Sequence, residues 1–135
     1  MAVRPSFNGD MVTTATKVLI IDGSPIFRTA LKEVLQISKG DVQIREASEA
    51  RKALEIVNRE SPAVIFIDIA LPEGNGLKLL QEIKRISPQA RIIVLTSYDS
   101  AEYREASTQR GAEHFLSKEH SGGLRLLDVI NETVR

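Results

Sequence analysis

Two carboxylates, a hydroxyl and an ammonium each stand at the end of a short apolar run in this chain. Asp22 closes Val18-Leu19-Ile20-Ile21, Asp68 closes residues 63–67, Thr96 follows Ile92-Ile93-Val94-Leu95, and Lys118 follows residues 114–117. Any one of them alone is more often a polar loop residue or a helix cap. Four at corresponding places are another matter. If the runs are parallel strands, their carboxyl ends share one edge of a sheet, where ligands of such sheets sit. A carboxylate there can act as nucleophile toward a phosphoryl donor. Catalysis would then consist mainly of positioning and of neutralising the phosphoryl oxygens with a divalent cation and a lysine. A hard ion such as magnesium takes carboxylate, carbonyl and water oxygens. Thr96 suits a hydrogen bond to one phosphoryl oxygen, and Lys118 suits a point charge beside another.

The elements that must position these residues follow from periodicity. Residues 17–22 form a short, β-branched, wholly apolar strand of the kind buried on both faces. Ser24 and Pro25 then suit an N-cap and first helical turn. Ile26, Ala30 and Val34 fall on one row of the first helix and Phe27, Leu31 and Leu35 on the next, so both rows are expected to be buried. The second strand is Val42–Ala47, with Val42, Ile44 and Glu46 facing one way. Ser48 is the expected cap of a helix carrying Ala50, Leu54 and Val57. The central strand ends at Asp68, and after the loop 69–76 a third helix carries Leu77, Leu80 and Ile83, with Leu79 and Ile86. Residues 92–95 form the fourth strand, 100–109 a weaker helix and 114–117 the fifth strand. A last helix carries Leu124, Leu127 and Val134. Five strand–helix pairs in strict alternation predict an α/β fold: a single five-stranded parallel sheet, doubly wound, with helices on both faces.

Composition narrows the rest. The 135 residues fit one compact domain, with residues 1–16 as a polar N-terminal extension and 17–135 as the domain itself. Lys plus Arg number 18, as do Asp plus Glu, so overall charge gives no case for nucleic acid or anionic lipid as a partner. The absence of cysteine excludes disulfides and thiolate metal sites. No apolar run approaches the roughly 20 residues of a membrane span, and the N-terminus lacks the basic-then-apolar order of a signal peptide. A cytoplasmic location is the expectation.

With Val-Leu-Ile-Ile-Asp22, Ile-Phe-Ile-Asp68-Ile-Ala-Leu-Pro72 followed by Gly76, Val-Leu-Thr96-Ser97, and Gly111-Ala-Glu-His-Phe115-Leu-Ser-Lys118 taken together, the chain resembles the receiver domains of bacterial response regulators, the CheY-like superfamily. The resemblance spans residues 17–135. It implies the strand order 2-1-3-4-5, Asp68 as phosphoacceptor and Asp22 as an acidic-pocket residue. It also implies magnesium as cofactor, held by Asp22, Asp68 and the backbone carbonyl of Ala70, with Thr96 and Lys118 contacting the phosphate. Phe115 falls where the family places the aromatic that rotates on activation; its plainer reading is a packed core ring. The Leu-Ser-Lys118-Glu-His form, without proline after the lysine, resembles receivers of the NarL/FixJ type, which usually precede a helix-turn-helix. None falls within these residues. The implied partner is a sensor histidine kinase or phosphotransfer protein, and such a domain is a phosphoacceptor, not an enzyme, assisting at most its own phosphotransfer and dephosphorylation.

The pattern breaks at one position. The family carries two adjacent acids after the first strand, and here Asp22 is followed by Gly23. The pocket thereby loses one charge and one ligand, which a water can replace at reduced affinity. Asp99 and Glu73 are the acids that would have to reach the pocket in its stead. Gly23 also suits a turn, where positive φ carries little penalty. Two readings stay open: a working phosphorylation switch with weakened magnesium binding, and a phosphorylation-independent protein-interaction module. A nucleotide binder lacks its glycine-rich loop, since Asp22-Gly23-Ser24-Pro25 stands there. The expected output surface, for an effector protein or a second copy, is made by the fourth helix, the fifth strand and the last helix. The fourth helix has few large apolar residues and should be held loosely. Direct contact with nucleic acid or membrane is not expected.

Overall fold

The computed structural model describes residues 3–5, 11–13, 15–38, 41–119 and 123–134. Ahead of the main sheet, β1 (Val3–Pro5) and β2 (Met11–Thr13) pair antiparallel as a two-stranded sheet within the segment read as a polar extension. The domain proper then alternates as expected: β3 (Thr16–Ile21), α1 (Pro25–Ile37), β4 (Val42–Ala47), α2 (Ala50–Glu60), β5 (Val64–Ile67), α3 (Gly76–Ile86), β6 (Arg91–Thr96), α4 (Ala101–Gln109), β7 (His114–Ser117) and α5 (Gly123–Thr133). The five strands of the main sheet are parallel in the order β4-β3-β5-β6-β7, which is 2-1-3-4-5 when these strands alone are counted.

Strand alternation sorts the core into two layers. Leu19, Ile21, Ile65, Ile67, Ile92 and Val94 pack on one face against α2 and α3. Val18, Ile20, Val64, Phe66, Ile93 and Leu95 pack on the other against α1 and α5. Each such fully buried side chain contributes about 2 kcal/mol of transfer free energy, so β3, β5 and β6 are a rigid platform whose carboxyl ends cannot drift apart.

Two local expectations fail. On α1, Leu31 and Leu35 are buried and Phe27 and Val34 pack against them, but Ile26 and Ile37 are 84% and 78% exposed and Ala30 is exposed too. At about 100° per residue, Ile26 and Ile37 sit about 140° and about 120° around the helix from Leu31, outside the stripe that one sheet face can cover. On α2, Ser48 is not the cap. Glu49 holds that position without a side-chain bond, and the first-turn N–H of Ala50 donates instead to Glu73 Oε1 at 2.9 Å, across the loop after β5. Helices α1 and α4 do carry the capping bonds their serines imply, from Phe27 N–H to Ser24 and from Tyr103 N–H to Ser100. The side chain of Leu124 lies outside the described residues.

Candidate functional site

Each residue of the quartet is fixed by the ladder it ends. The backbone N–H of Asp22 donates to Ala47 O (3.0 Å), that of Asp68 to Ile21 O (2.9 Å) and that of Lys118 to Thr96 O (2.9 Å). The sheet thus continues one residue past β3, β5 and β7, and the side chains of Asp22, Asp68, Thr96 and Lys118 leave it from neighbouring strands at a common height. Asp22, Asp68 and Thr96 are buried.

Their contacts close into one network. Lys118 Nζ stands 2.7 Å from Asp22 Oδ2 and 2.8 Å from Asp68 Oδ2, bridging the two acids. Thr96 Oγ1 donates to Asp68 Oδ1 at 2.5 Å, and the Ala70 N–H donates to the same oxygen at 2.8 Å. Asp22 Oδ1 accepts from the Ser24 N–H at 2.8 Å. Burial alone would push the Lys118 ammonium down, but its bonds to Asp22 and Asp68 outweigh that and raise its pKa above the ordinary lysine value. The stability it contributes is therefore fully present below the unfolded lysine value and lost only as pH climbs through the higher folded one.

Three supporting residues were not legible as such. The Phe27 ring lies under Lys118, with Nζ 4.1 Å from its centroid, a cation–π contact that holds the ammonium over the acids. Arg28 donates through Nη1 to Asp22 O at 2.6 Å and through Nε to Glu46 Oε1 at 2.9 Å, tying α1 to β3 and β4 beneath the site. Arg104 places its guanidinium 4.7 Å from the centre of the Phe115 ring and donates to Phe115 O at 3.2 Å. Phe27 could be read only as core, and the two arginines reach partners on other elements, which spacing along one helix does not reveal. Phe115 itself is 6% exposed and packs into the core beside α2 and α3.

The position of the missing acid is crowded by one neighbour. Gly23 is not among the residues with positive φ, which are Ser61, Asn75, Gly74 and Gly111 among those described, so turn geometry does not require it. A Cβ there would lie 2.9 Å from both Cδ and Cγ of Pro72. A side chain here would force the exposed Pro72 ring to shift, and backbone freedom is not what the glycine supplies. Gly76 is under similar pressure, since a Cβ there would lie 2.0 Å from Ile69 O where α3 meets the loop after Asp68. Glu73 does not replace the missing acid, being engaged at the start of α2. Among the described residues no group of three or more His, Cys, Asp or Glu side chains is arranged to hold a metal. Two carboxylates and the Ala70 carbonyl remain. These hard oxygens match magnesium chemistry, with water left to complete an octahedron.

Comparison with known proteins places this geometry. The family model described as response regulator receiver domain matches residues 18–130. The chemotaxis protein CheY of Bacillus subtilis (strain 168) is 32% identical over 89% of this chain and 98% of its own length. The nitrate/nitrite response regulator protein NarL of Escherichia coli (strain K12) is 28% identical over 76% of this chain but only 47% of its own length. The chain thus spans nearly all of the former and about half of the latter. Among solved structures, a response regulator protein from Burkholderia pseudomallei, which carries a phosphorylated aspartic acid, a calcium ion and citrate, superposes with a TM-score of 0.75 at 27% identity, over 89% of this chain and 66% of that one.

Proposed function

The chain belongs to the response regulator receiver domain family of two-component systems, and on that footing we propose that Asp68 accepts a phosphoryl group from a histidine kinase or phosphotransfer protein. The observation that carries this reading is the junction of Lys118 with both buried carboxylates while Thr96 donates to Asp68. A carboxylate oxygen of Asp68 forms the new bond to phosphorus as the donor's bond to it breaks, and the leaving group departs with the bonding electrons. Thr96 and Lys118 then turn from the carboxylate to the phosphoryl oxygens, the hydroxyl as hydrogen-bond donor and the ammonium as counter-charge. Receiver domains generally bind magnesium at this site; here Asp22, Asp68 and the Ala70 carbonyl would hold it, and it would supply further positive charge to the transferring group.

Switching requires a second arrangement of some element. Thr96 and Phe115 are the proposed switch residues: both turn inward, and Arg104 links Phe115 to α4, whose only buried residue is Ser107. The response is read by an effector protein or a second copy on the surface of α4, β7 and α5. Near the donor side, exposed Ile26 lies in the first turn of α1, beside the loop that leaves Asp22, and gives the phosphoryl donor an apolar foothold.

Incubation with magnesium and acetyl phosphate tests the reading. Wild-type protein should gain the mass of one phosphoryl group and Asp68→Asn none. No gain at saturating magnesium would favour the phosphorylation-independent module, which the crowding of Gly23 by the Pro72 ring also supports. That crowding has its own test. Gly23→Asp alone should lower stability by about 1–3 kcal/mol through overpacking. Gly23→Asp with Pro72→Ala should bind magnesium about tenfold tighter than Pro72→Ala alone, because the site regains a charged ligand. Calorimetric titration of the two proteins measures this, and equal affinities would show that the missing acid does not limit metal binding.

A further inference from the structure

A trough runs between α3 and α4, on the other side of α4 from the surface shared with β7 and α5. Its upper part is a cavity of about 430 Å³ walled by Lys78, Arg110 and the rings of Tyr98 and Tyr103. A second cavity of about 480 Å³ shares Gln81 and Arg110 with the first and continues past Lys84 and Arg85. Among the described residues, neither cavity is lined by any Asp or Glu, although the chain as a whole carries equal numbers of acids and bases. The four cations are therefore concentrated here. Lys84 and Arg110 are held in place by bonds to Ala90 O (2.7 Å) and Ala106 O (3.0 Å), with further donors to spare. Arg85 pairs with Glu82, whose carboxylate also feels the charge of exposed Lys78.

The two tyrosines supply the apolar half. Their rings stack at 5.0 Å between centroids and 30° between planes, yet remain 47% and 38% exposed. Rigid aromatic surface beside cations is the composition of a protein-binding anchor. It does not suit a single small anion, because the cations are spread along about two turns of α3, from Lys78 to Arg85, and do not converge. A nucleic-acid backbone would require a more extended excess of positive charge than this chain carries.

We propose that the α3–α4 trough binds an acidic peptide segment of a partner protein, one that sets an apolar or aromatic residue against Tyr98 and Tyr103 and carboxylates along Lys78, Lys84, Arg85 and Arg110. The binding itself does not rest on Asp68 being phosphorylated. It is nevertheless adjacent to that site, since the Tyr98 N–H donates to Thr96 Oγ1 at 3.2 Å and Ala70 lines the upper cavity.

Selection of displayed random dodecapeptides on the immobilised full chain tests this. Enriched sequences should carry clustered Asp or Glu next to an apolar residue. The best of them, as a labelled synthetic peptide, should shift backbone amides of residues 74–81 and 98–110. Lys78→Glu, at an exposed position where folding is not at risk, should weaken it about tenfold, and raising ionic strength from about 0.05 to about 0.5 M should do so as well. Arg51→Glu on the exposed side of α2 should leave it unchanged. Enrichment without acidic bias, no enrichment at all, an acidic peptide indifferent to Lys78→Glu, or amide shifts confined to other faces would each overturn the proposal.

Discussion

Lys118→Met is expected to lower the unfolding free energy by about 3 kcal/mol in metal-free buffer at neutral pH, because it strips the counter-charge from two buried acids. The side chains of Asp22 and Asp68 are only 4% and 8% exposed, and each has one oxygen within 2.8 Å of the same ammonium. Methionine keeps most of the apolar stem, so the loss is chiefly that of the charge, its contact with the Phe27 ring included. Magnesium should restore much of the lost stability, since a divalent cation coordinated by the same carboxylates replaces the missing charge and binds only the folded state. Denaturant unfolding with and without magnesium measures both effects. A variant as stable as wild type without metal would mean that the two acids do not depend on Lys118. A variant that magnesium cannot rescue would mean that the remaining oxygens do not hold the ion.

The second large effect separates two residues that look alike in sequence. Leu35→Ala should cost about 3 kcal/mol, the usual range for truncating a fully buried leucine, because Leu35 is wholly enclosed between α1 and the sheet. Ile26→Ala, nine residues earlier on the same helix, should change stability by no more than about 0.5 kcal/mol. Urea titration of the two variants distinguishes them, and comparable losses would contradict the orientation of α1.

Ile26 also marks where reading the sequence reached its limit. Periodicity identified a helix over this segment, and it identified Leu31 and Leu35 as inward. It could not decide how wide a stripe the sheet would cover, because that depends on how α1 lies across β3 and β4, a tertiary fact. The strands were easier. Runs such as Val-Leu-Ile-Ile and Val-Ile-Phe-Ile leave no polar face, so burial on both sides follows directly, and with it the parallel sheet and the shared edge on which Asp22, Asp68, Thr96 and Lys118 meet.

Within the site, residue types at strand ends were legible and their mutual support was not. Nothing in the spacing of Phe27 and Lys118 places a ring under an ammonium, and Arg104 reaches Phe115 across two elements. Gly23 is the most instructive position. Its chemistry, one acid fewer, is plain from the sequence; a turn glycine is the plainer local reading, and φ there is not positive. The structure sets the Pro72 ring, 49 residues away in the chain, against Gly23, so that a side chain there would have to displace the ring. Non-local sterics of this kind leave no local signature. Ser48 and Glu73 repeat the lesson: a serine near a helix start suggested a local cap, and a carboxylate from the loop after Asp68 takes the bond instead.

The most direct test of the central claim locates the covalent bond itself. Protein treated with magnesium and acetyl phosphate is reduced with borohydride: a first hydride expels phosphate from the acyl phosphate to leave the semialdehyde, and a second, with a proton from water, gives homoserine in place of the aspartate. Homoserine is expected at position 68 and unmodified aspartate at position 22, with the product lost in Lys118→Met. Homoserine at another position, or none at any, would contradict that claim.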